Sequence, residues 1–477
     1  MSTTQKAING GKWVTTSTIT STAFQFLQVA IVARLVDPSA FGLVSISTMI
    51  ITFFSTFSNL GFSNSIISEQ EEDPEKLSTI YYVNLGLGLL MFLLIFLGSP
   101  FIISFFHEPR LDKVLKLASC FFLIVYFGQI YNVLLQKELQ FKSIAIIEII
   151  AIVSGTVTTI TLAYSGFQEM ALIYGQLLTQ LVKTTLQVIA GQKLFKPRLY
   201  FDIRKIKSHI QFGAYNLADG VLGFIQGNSD NLIIGSVLGV KALGYYSLAS
   251  QLAVLPISRI NPIILQVAYP MIAKIKDNAA ELKKTYIQIL DLITYFNLPL
   301  LAGLFITAQS VVPVIYGPGW QPTVILIQIL TGVSFFLCLG HPLFTLVFSK
   351  GKPKLLFFLN AFTLVVKIPL VYYFGKNWGV AGVAVGYLVA IMISAAANFV
   401  IVKLLIGSFV RDFLVNLTKP LAFCLAMVFV IYLYKTFVGF EGTTHMLIQI
   451  AIGGAIFIGL TLKYKYSVSD LKAFRKN

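Results

Sequence analysis

Charge is scarce in this chain. Of its 477 residues only 12% are Asp, Glu, Lys or Arg, while 56% are hydrophobic. A soluble domain carries about twice that charged fraction, and no polar stretch here is long enough to fold alone, so a soluble globular protein is excluded. Cysteine is nearly absent. Cys120, Cys338 and Cys424 each sit in an apolar run, a pattern that fits neither a disulfide framework nor a metal site. The four histidines (His107, His209, His341, His445) are scattered without metal-ligand spacing. No GxxxxGK[ST] phosphate loop occurs, which argues against nucleotide hydrolysis. Long loops with paired acidic residues are missing too, and the one acidic loop, "EQEEDPEK" (69–76), reads as a solvated turn. The chain is therefore not expected to be an enzyme or to carry a cofactor.

What is present is apolar length. A bilayer core takes roughly 20 apolar residues per helix, and such runs recur along the whole chain. Fourteen spans are expected, near 13–33, 42–64, 80–106, 115–135, 143–165, 170–194, 209–237, 244–273, 286–307, 323–348, 355–374, 379–402, 418–437 and 446–463. The third is expected to break near Gly98 and Pro100. The first is too long for a signal-peptide core and lacks a small-residue cleavage site.

The basic residues orient the spans. With the amino terminus inside, 26 of the 36 Lys and Arg residues fall on the inner side, seven on the outer side and three inside spans. The bias predicts both termini in the cytoplasm. It also explains the net charge of +16 as attraction to an anionic leaflet, with no nucleic acid involved.

The chain echoes itself. "IVARLVDPSAFGLVSIS" (31–47) aligns with "IIGSVLGVKALGYYSLA" (233–249) at an offset of 202 residues. The alignment matches Ala40 with Ala242, Gly42 with Gly244 and Ser45 with Ser247. "MALIYGQ" (170–176) likewise matches "AGVAVGY" (381–387). Spans one to six and seven to twelve therefore read as two parallel copies of a six-helix unit, a transporter signature with the site at the repeat interface. The expected division is residues 1–194, a linker at 195–208, residues 209–405, and two extra helices with a tail at 406–477.

Several spans are polar on one face. Span six carries Gln176, Thr179, Gln180, Lys183 and Gln187. Span seven carries Asn216, Asp219, Gln226 and Asp230, with Asn228 and Asn231 close by. Span eight carries Gln251, Arg259 and Gln266, with Arg259 inside the proline-bounded stretch "PISRINP" (256–262). Hydroxyls and amides often glue helices together, but full charges need more. Lys183, Arg259 and Lys367 lie well inside spans, where a charge costs at least about 2.5–3.5 kcal/mol. Such cations face water or a partner. Candidate partners, and candidate ion-coupling carboxylates, are Asp219, Asp230, Glu148 and Asp291. A hydrated cavity lined by cations would take an anion, with phosphate the natural choice. Ion pairs that only lock helices are the alternative. The prolines at 256, 262, 270, 299, 342 and 369 suit helices that bend, or that are merely kinked.

The stretch "NSDNLIIGSVLGVKALGYYSLASQL" (228–252), with its echo "VARLVDPSAFGLVSIS", resembles the polysaccharide transporter family of the multidrug/oligosaccharidyl-lipid/polysaccharide exporter superfamily. The likeness runs from the amino terminus to about residue 405 and is nearest to Wzx-type flippases. The resemblance implies an all-α, V-shaped, two-lobed membrane protein with about 14 transmembrane helices. It also implies alternating-access movement of undecaprenyl-pyrophosphate-linked oligosaccharide through a cationic cavity. Such a protein would serve surface polysaccharide of O-antigen, colanic-acid or teichuronic-acid type in the bacterial inner membrane. Implied partners are the lipid-linked glycan, membrane lipids and polymerase machinery. The driving force would be a proton or sodium gradient. Arg259 matches a family cavity arginine, and Arg34 is a weaker candidate. Other readings are an ion-coupled drug exporter, for which three buried cations are unfavourable, and a non-transporting scaffold of a glycan-synthesis complex.

Overall fold

The structure, a computed structural model, describes the backbone of residues 3–58 and 66–464. Side chains are described for residues 10–57, 66–206 and 220–464. Asn216 and Asp219 lie outside the described side chains. Every regular element among the described residues is helical. In chain order these are α1 (Thr3–Val32), α2 (Pro38–Ser58), α3 (Pro74–Phe106), α4 (Leu111–Lys137), α5 (Phe141–Tyr164) and α6 (Gln168–Gly191). There follow α7 (Lys207–Ile233), α8 (Val240–Lys274), α9 (Ala279–Tyr316), α10 (Pro322–Gly340), α11 (Pro342–Ser349), α12 (Lys354–Ile406), α13 (Val410–Phe437) and α14 (Thr443–Tyr464).

Ten of these stretches are long and apolar enough to cross a membrane, with α10 and α11 counted as one. Outside that set, α1 and α6 carry polar faces that dilute their apolar content, and α7 has described side chains only over 220–233. α12 holds two spans, because its helical geometry breaks at Trp378 and at Gly379, which has φ 63°. Fourteen membrane-length rods result among the described residues. The expected all-α, multi-pass architecture is borne out. Packing divides the chain into two units, Met1–Gly244 and Tyr245–Asn477.

In the first unit the main helix pairs are α5 with α6, α3 with α4, α1 with α5, and α4 with α6. The tightest contact is a reciprocal glycine–threonine notch. A Cβ on Gly155 of α5 would lie 1.7 Å from the Thr179 hydroxyl, and one on Gly175 of α6 would lie 1.7 Å from that of Thr159. Each hydroxyl donates to its own helix, Thr159 to Gly155 O and Thr179 to Gly175 O. Small residues thus let the two backbones approach, as membrane helices require. This notch fixes the rotation of α6, and with it the direction of Lys183 one turn beyond Thr179.

The echoed segments meet in the same manner. A Cβ on Gly42 would lie 1.8 Å from Val240 O, and one on Gly244 would lie 1.9 Å from Pro38 O. The two glycines aligned by the repeat each admit the backbone at the start of the other's helix. Asp37 caps α2 by accepting from Ser39 N–H at 2.8 Å, which holds its carboxyl below the usual range. In the second unit, Gly386 lies against Leu370 and Val371 backbone within α12. Its aligned partner Gly175 lies against the Gly155 carbonyl. Both copies therefore use one glycine to seat a span on the preceding one.

The second unit is built mainly from α9 on α10, α10 on α12, and α13 on α9 and α14. One core joins Ile257, Ala268 and Ile272 of α8 to Tyr286 and Ile293 of α9 and to Leu343 and Leu346 of α11. α8 stays helical through Pro256, Pro262 and Pro270, so "PISRINP" is helix and not loop.

Two expectations need correction. α3 does not break near Gly98, since its helix contains Pro100. Proline 100 cannot bond the carbonyl of Phe96, but the Ser99 hydroxyl donates to that carbonyl at 3.2 Å, so the freed acceptor is re-satisfied. The acidic loop is not simply a solvated turn. Glu71 is buried, accepts from Asp73 N–H at 2.9 Å and pairs with Lys76 at 2.7 Å. Lys137 binds the Glu71 carbonyl and the Glu72 carboxylate, and Lys205 of the basic connection pairs with Glu75. The loop therefore ties together the ends of α3 and α4 and the connection before α7.

Burial raises the pKa of Glu71, but the hydrogen bonds from Lys76 and from backbone N–H groups outweigh it and hold the carboxyl below its usual range. Its stabilisation is therefore present above the unfolded value near 4.3 and fades as pH falls through the lower folded value. Glu71→Gln should cost about 1–3 kcal/mol at pH 7. The gap from the parent should close as the pH drops below about 4. Thermal unfolding in detergent at both pH values reads this out, and a pH-independent gap would contradict it.

Candidate functional site

The three intramembrane cations occupy three different environments. Lys183, on α6, reaches Glu148 of α5 and pairs with it at 2.6 Å. Both side chains are partly exposed, at 31% and 38%. The residue expected to contact a ligand anion thus already has a counter-ion, and the carboxylate expected to couple ions supplies it. Lys367, on the first half of α12, is only 1% exposed. Its ammonium lies 3.8 Å from the ring centroid of Tyr387 on the second half. Cation–π contact replaces part of the lost hydration. Arg259, near the middle of α8, is exposed and carries no ion pair among the described residues. Gln251 and Gln266 on the same helix are exposed as well.

Beside Lys183 the first unit holds a cavity of ≈ 240 Å³. Ser55 of α2, Gln129 and Asn132 of α4, and Gln180, Lys183 and Gln187 of α6 line it. The spacings 129/132 and 180/183/187 place each set on one helical face. Phe122 and Tyr126, about two turns and one turn before Gln129, close the wall. Of the polar stripe read on span six, Gln180, Lys183 and Gln187 line the cavity, while Thr179 sits in the notch against Gly155. Gln129 and Asn132 were missed, although two amides three residues apart in an apolar span were a visible signal.

Next to Arg259 in sequence lies a polar chain, buried at its two asparagines, that sequence reasoning also missed. Asn261 is 0% exposed, and its amide stands 2.8 Å from His341 Nδ1. Asn297 of α9 donates to Asn261 Oδ1 at 2.8 Å. His341 fills the break between α10 and α11, so this chain joins α8, α9 and that break. It fixes the rotation of α8 and hence the direction of Arg259. His341 had looked like one of four scattered histidines, because its partners are distant in sequence.

The remaining candidates are spread out. Arg34 is exposed in the turn between α1 and α2. Asn228 is half-buried and donates back to Phe224 O on its own helix, and Asn231 is half-buried. Asp230 is 4% exposed near the end of α7, just before a single π-type turn at Ile234–Leu238. Asp291 is half-buried on α9.

A family model described as "Polysaccharide biosynthesis protein" matches residues 31–325. The lipopolysaccharide biosynthesis protein WzxC of Escherichia coli K12 is 31% identical, covering 91% of this chain and 88% of that protein. The chain belongs to the polysaccharide biosynthesis protein family. The teichuronic acid biosynthesis protein TuaB of Bacillus subtilis 168 is 27% identical across 99% of this chain and 98% of its own length. Among solved structures, the lipid II flippase MurJ, in an inward closed conformation, superposes with TM-score 0.72 at 18% identity, over 94% of this chain and 98% of that one. An inward-facing multidrug resistance MATE transporter of the MOP superfamily gives 0.63 at 16% identity, over 82% and 96%. These last two likenesses speak for the fold alone, and they place this family member in the MOP-type fold expected from its residues.

The Lys183–Glu148 pair should behave as a pair. Glu148→Gln should lower stability by about 1–3 kcal/mol, between the limits for exposed and buried pairs. Adding Lys183→Met should restore most of it. Melting in detergent of the two single variants and the double variant gives the coupling, and a value near zero would contradict the pairing.

Proposed function

We propose that this protein is a flippase for polyprenyl-pyrophosphate-linked oligosaccharide, moving repeat units for surface polysaccharide across the bacterial cytoplasmic membrane by alternating access. Membership of the polysaccharide biosynthesis family supports the substrate class. The observation that carries the mechanism is Arg259, a permanent cation at mid-helix, exposed and without an ion pair among the described residues. An uncompensated charge at that depth is tolerated only toward water or an arriving anion, and a pyrophosphate is an anion its guanidinium can grip with two parallel hydrogen bonds. Gln251 and Gln266, on the same helix, would meet the sugars, with Asn228, Asn231 and Arg34 lining the outer path.

In this reading both termini are cytoplasmic and the functional halves follow the repeat, residues 1–194 and 209–405 joined by the basic connection. No catalysis is assigned to the chain. The transport step is driven by a proton or sodium gradient. With Glu148 engaged by Lys183, that coupling falls to Asp230, Asp291 and Asp219. Polymerase machinery would receive the product on the outer face.

In proteoliposomes loaded with fluorescent polyprenyl-pyrophosphate oligosaccharide, Arg259→Ala should slow translocation by about 10- to 100-fold, the worth of one charge-assisted contact. Melting and insertion should match the parent. Parental translocation rates in this variant would sink the mechanism.

A further inference from the structure

The cavity beside Lys183 differs chemically from an anion site. Its one cation is neutralised by Glu148 at 2.6 Å, so the wall carries no net charge from this pair. Two of its amides, Gln129 and Asn132, are half-buried and make no hydrogen bond to the protein among the described residues. Each of these amides can both donate and accept, so the pair can bond a ligand or water that enters the cavity. Gln180 is held in place by donating to Thr184 Oγ at 3.1 Å, which leaves its carbonyl oxygen to accept. On the helix of Gln129, about one and two turns earlier, the buried rings of Tyr126 and Phe122 form the adjoining wall. Amides that both donate and accept, next to an apolar wall and with no net charge, match a neutral polyhydroxylated ring. At ≈ 240 Å³ the cavity is smaller than the roughly 300–1,000 Å³ of drug-sized pockets, which suits one ring and not a whole repeat unit.

Its position in the chain adds a second constraint. Gln129 lies eight residues before the end of α4 and Lys183 eight before the end of α6, roughly 12 Å at the helical rise. Both ends point to the side carrying the acidic loop and the basic connection. In the topology proposed above that side is the cytoplasm, where the lipid-linked glycan is made available.

We propose that this cavity is a binding subsite for a single neutral sugar ring of the substrate, with Gln129 and Asn132 bonding hydroxyls and the edges of Tyr126 and Phe122 closing the apolar end. It rests on the flippase reading and adds a discrimination step to it. The pyrophosphate is held elsewhere, at Arg259, and the Glu148–Lys183 pair keeps a second anion out.

Saturation-transfer NMR on the full-length protein in detergent tests this with methyl β-D-glucopyranoside, methyl β-D-galactopyranoside and inorganic pyrophosphate as probes. At least one glycoside should receive saturation from the parent. In Gln129→Leu and Asn132→Leu, binding should weaken about fivefold or more, the worth of one hydrogen bond. Pyrophosphate should not displace the glycoside. No transfer to either glycoside in the parent, undiminished transfer in both leucine variants, or displacement by pyrophosphate would each overturn the subsite. The two readings fail separately. Glycoside binding in a protein that moves no lipid-linked glycan would leave the subsite and remove the flippase. Normal translocation by a parent that binds neither glycoside would do the reverse.

Discussion

The cost of holding a positive charge inside a bilayer organises this molecule. Three cations bear that cost in three different environments. Lys183 has a carboxylate. Lys367 has an aromatic face and deep burial. Arg259 has neither among the described residues, and that difference singles it out as the group open to an incoming anion. Lysine and arginine divide as their chemistry suggests. The compact ammonium is engaged by a carboxylate in one case and by an aromatic ring in the other, while the planar, always-charged fork carries no ion pair among the described residues.

The surrounding packing makes those environments specific. The notch between Gly155–Thr159 and Gly175–Thr179 sets the rotation of α6, so that Lys183 meets Glu148 and its neighbours line a cavity. The Asn261–His341–Asn297 chain does the same for α8, anchoring a proline-rich helix whose backbone bonds are interrupted three times. A serine side chain recovers part of what proline removes, as at Ser99 and Phe96. In a solvent without hydrogen bonds such substitutions keep the helices continuous.

Much of this was legible in the chain. Apolar runs located the spans, including the break of α12 at Gly379, because length and turn residues are local properties. The echo at offset 202 foresaw that Gly42 and Gly244 do equivalent work, although not that each faces the other's helix. The span-six stripe was readable from its spacing of three and four. What escaped was set by partners distant in sequence. The pairing of Lys183 with Glu148, the links of Asn261 to His341 and Asn297, and the burial of Glu71 depend on how helices turn toward one another. A proline at position 100 misled for a related reason, since its compensation is a neighbouring hydroxyl that composition alone does not weigh.

The central claim is that the three cations are not equivalent and that only Arg259 is open. In a protein freed of Cys120, Cys338 and Cys424, the variants Arg259→Cys, Lys183→Cys and Lys367→Cys can be compared by their rate of labelling with a membrane-impermeant, negatively charged thiol reagent. The expected order is Arg259→Cys fastest, Lys183→Cys slower because Glu148 repels the reagent, and Lys367→Cys protected. Labelling of Lys367→Cys as fast as Arg259→Cys would contradict the account.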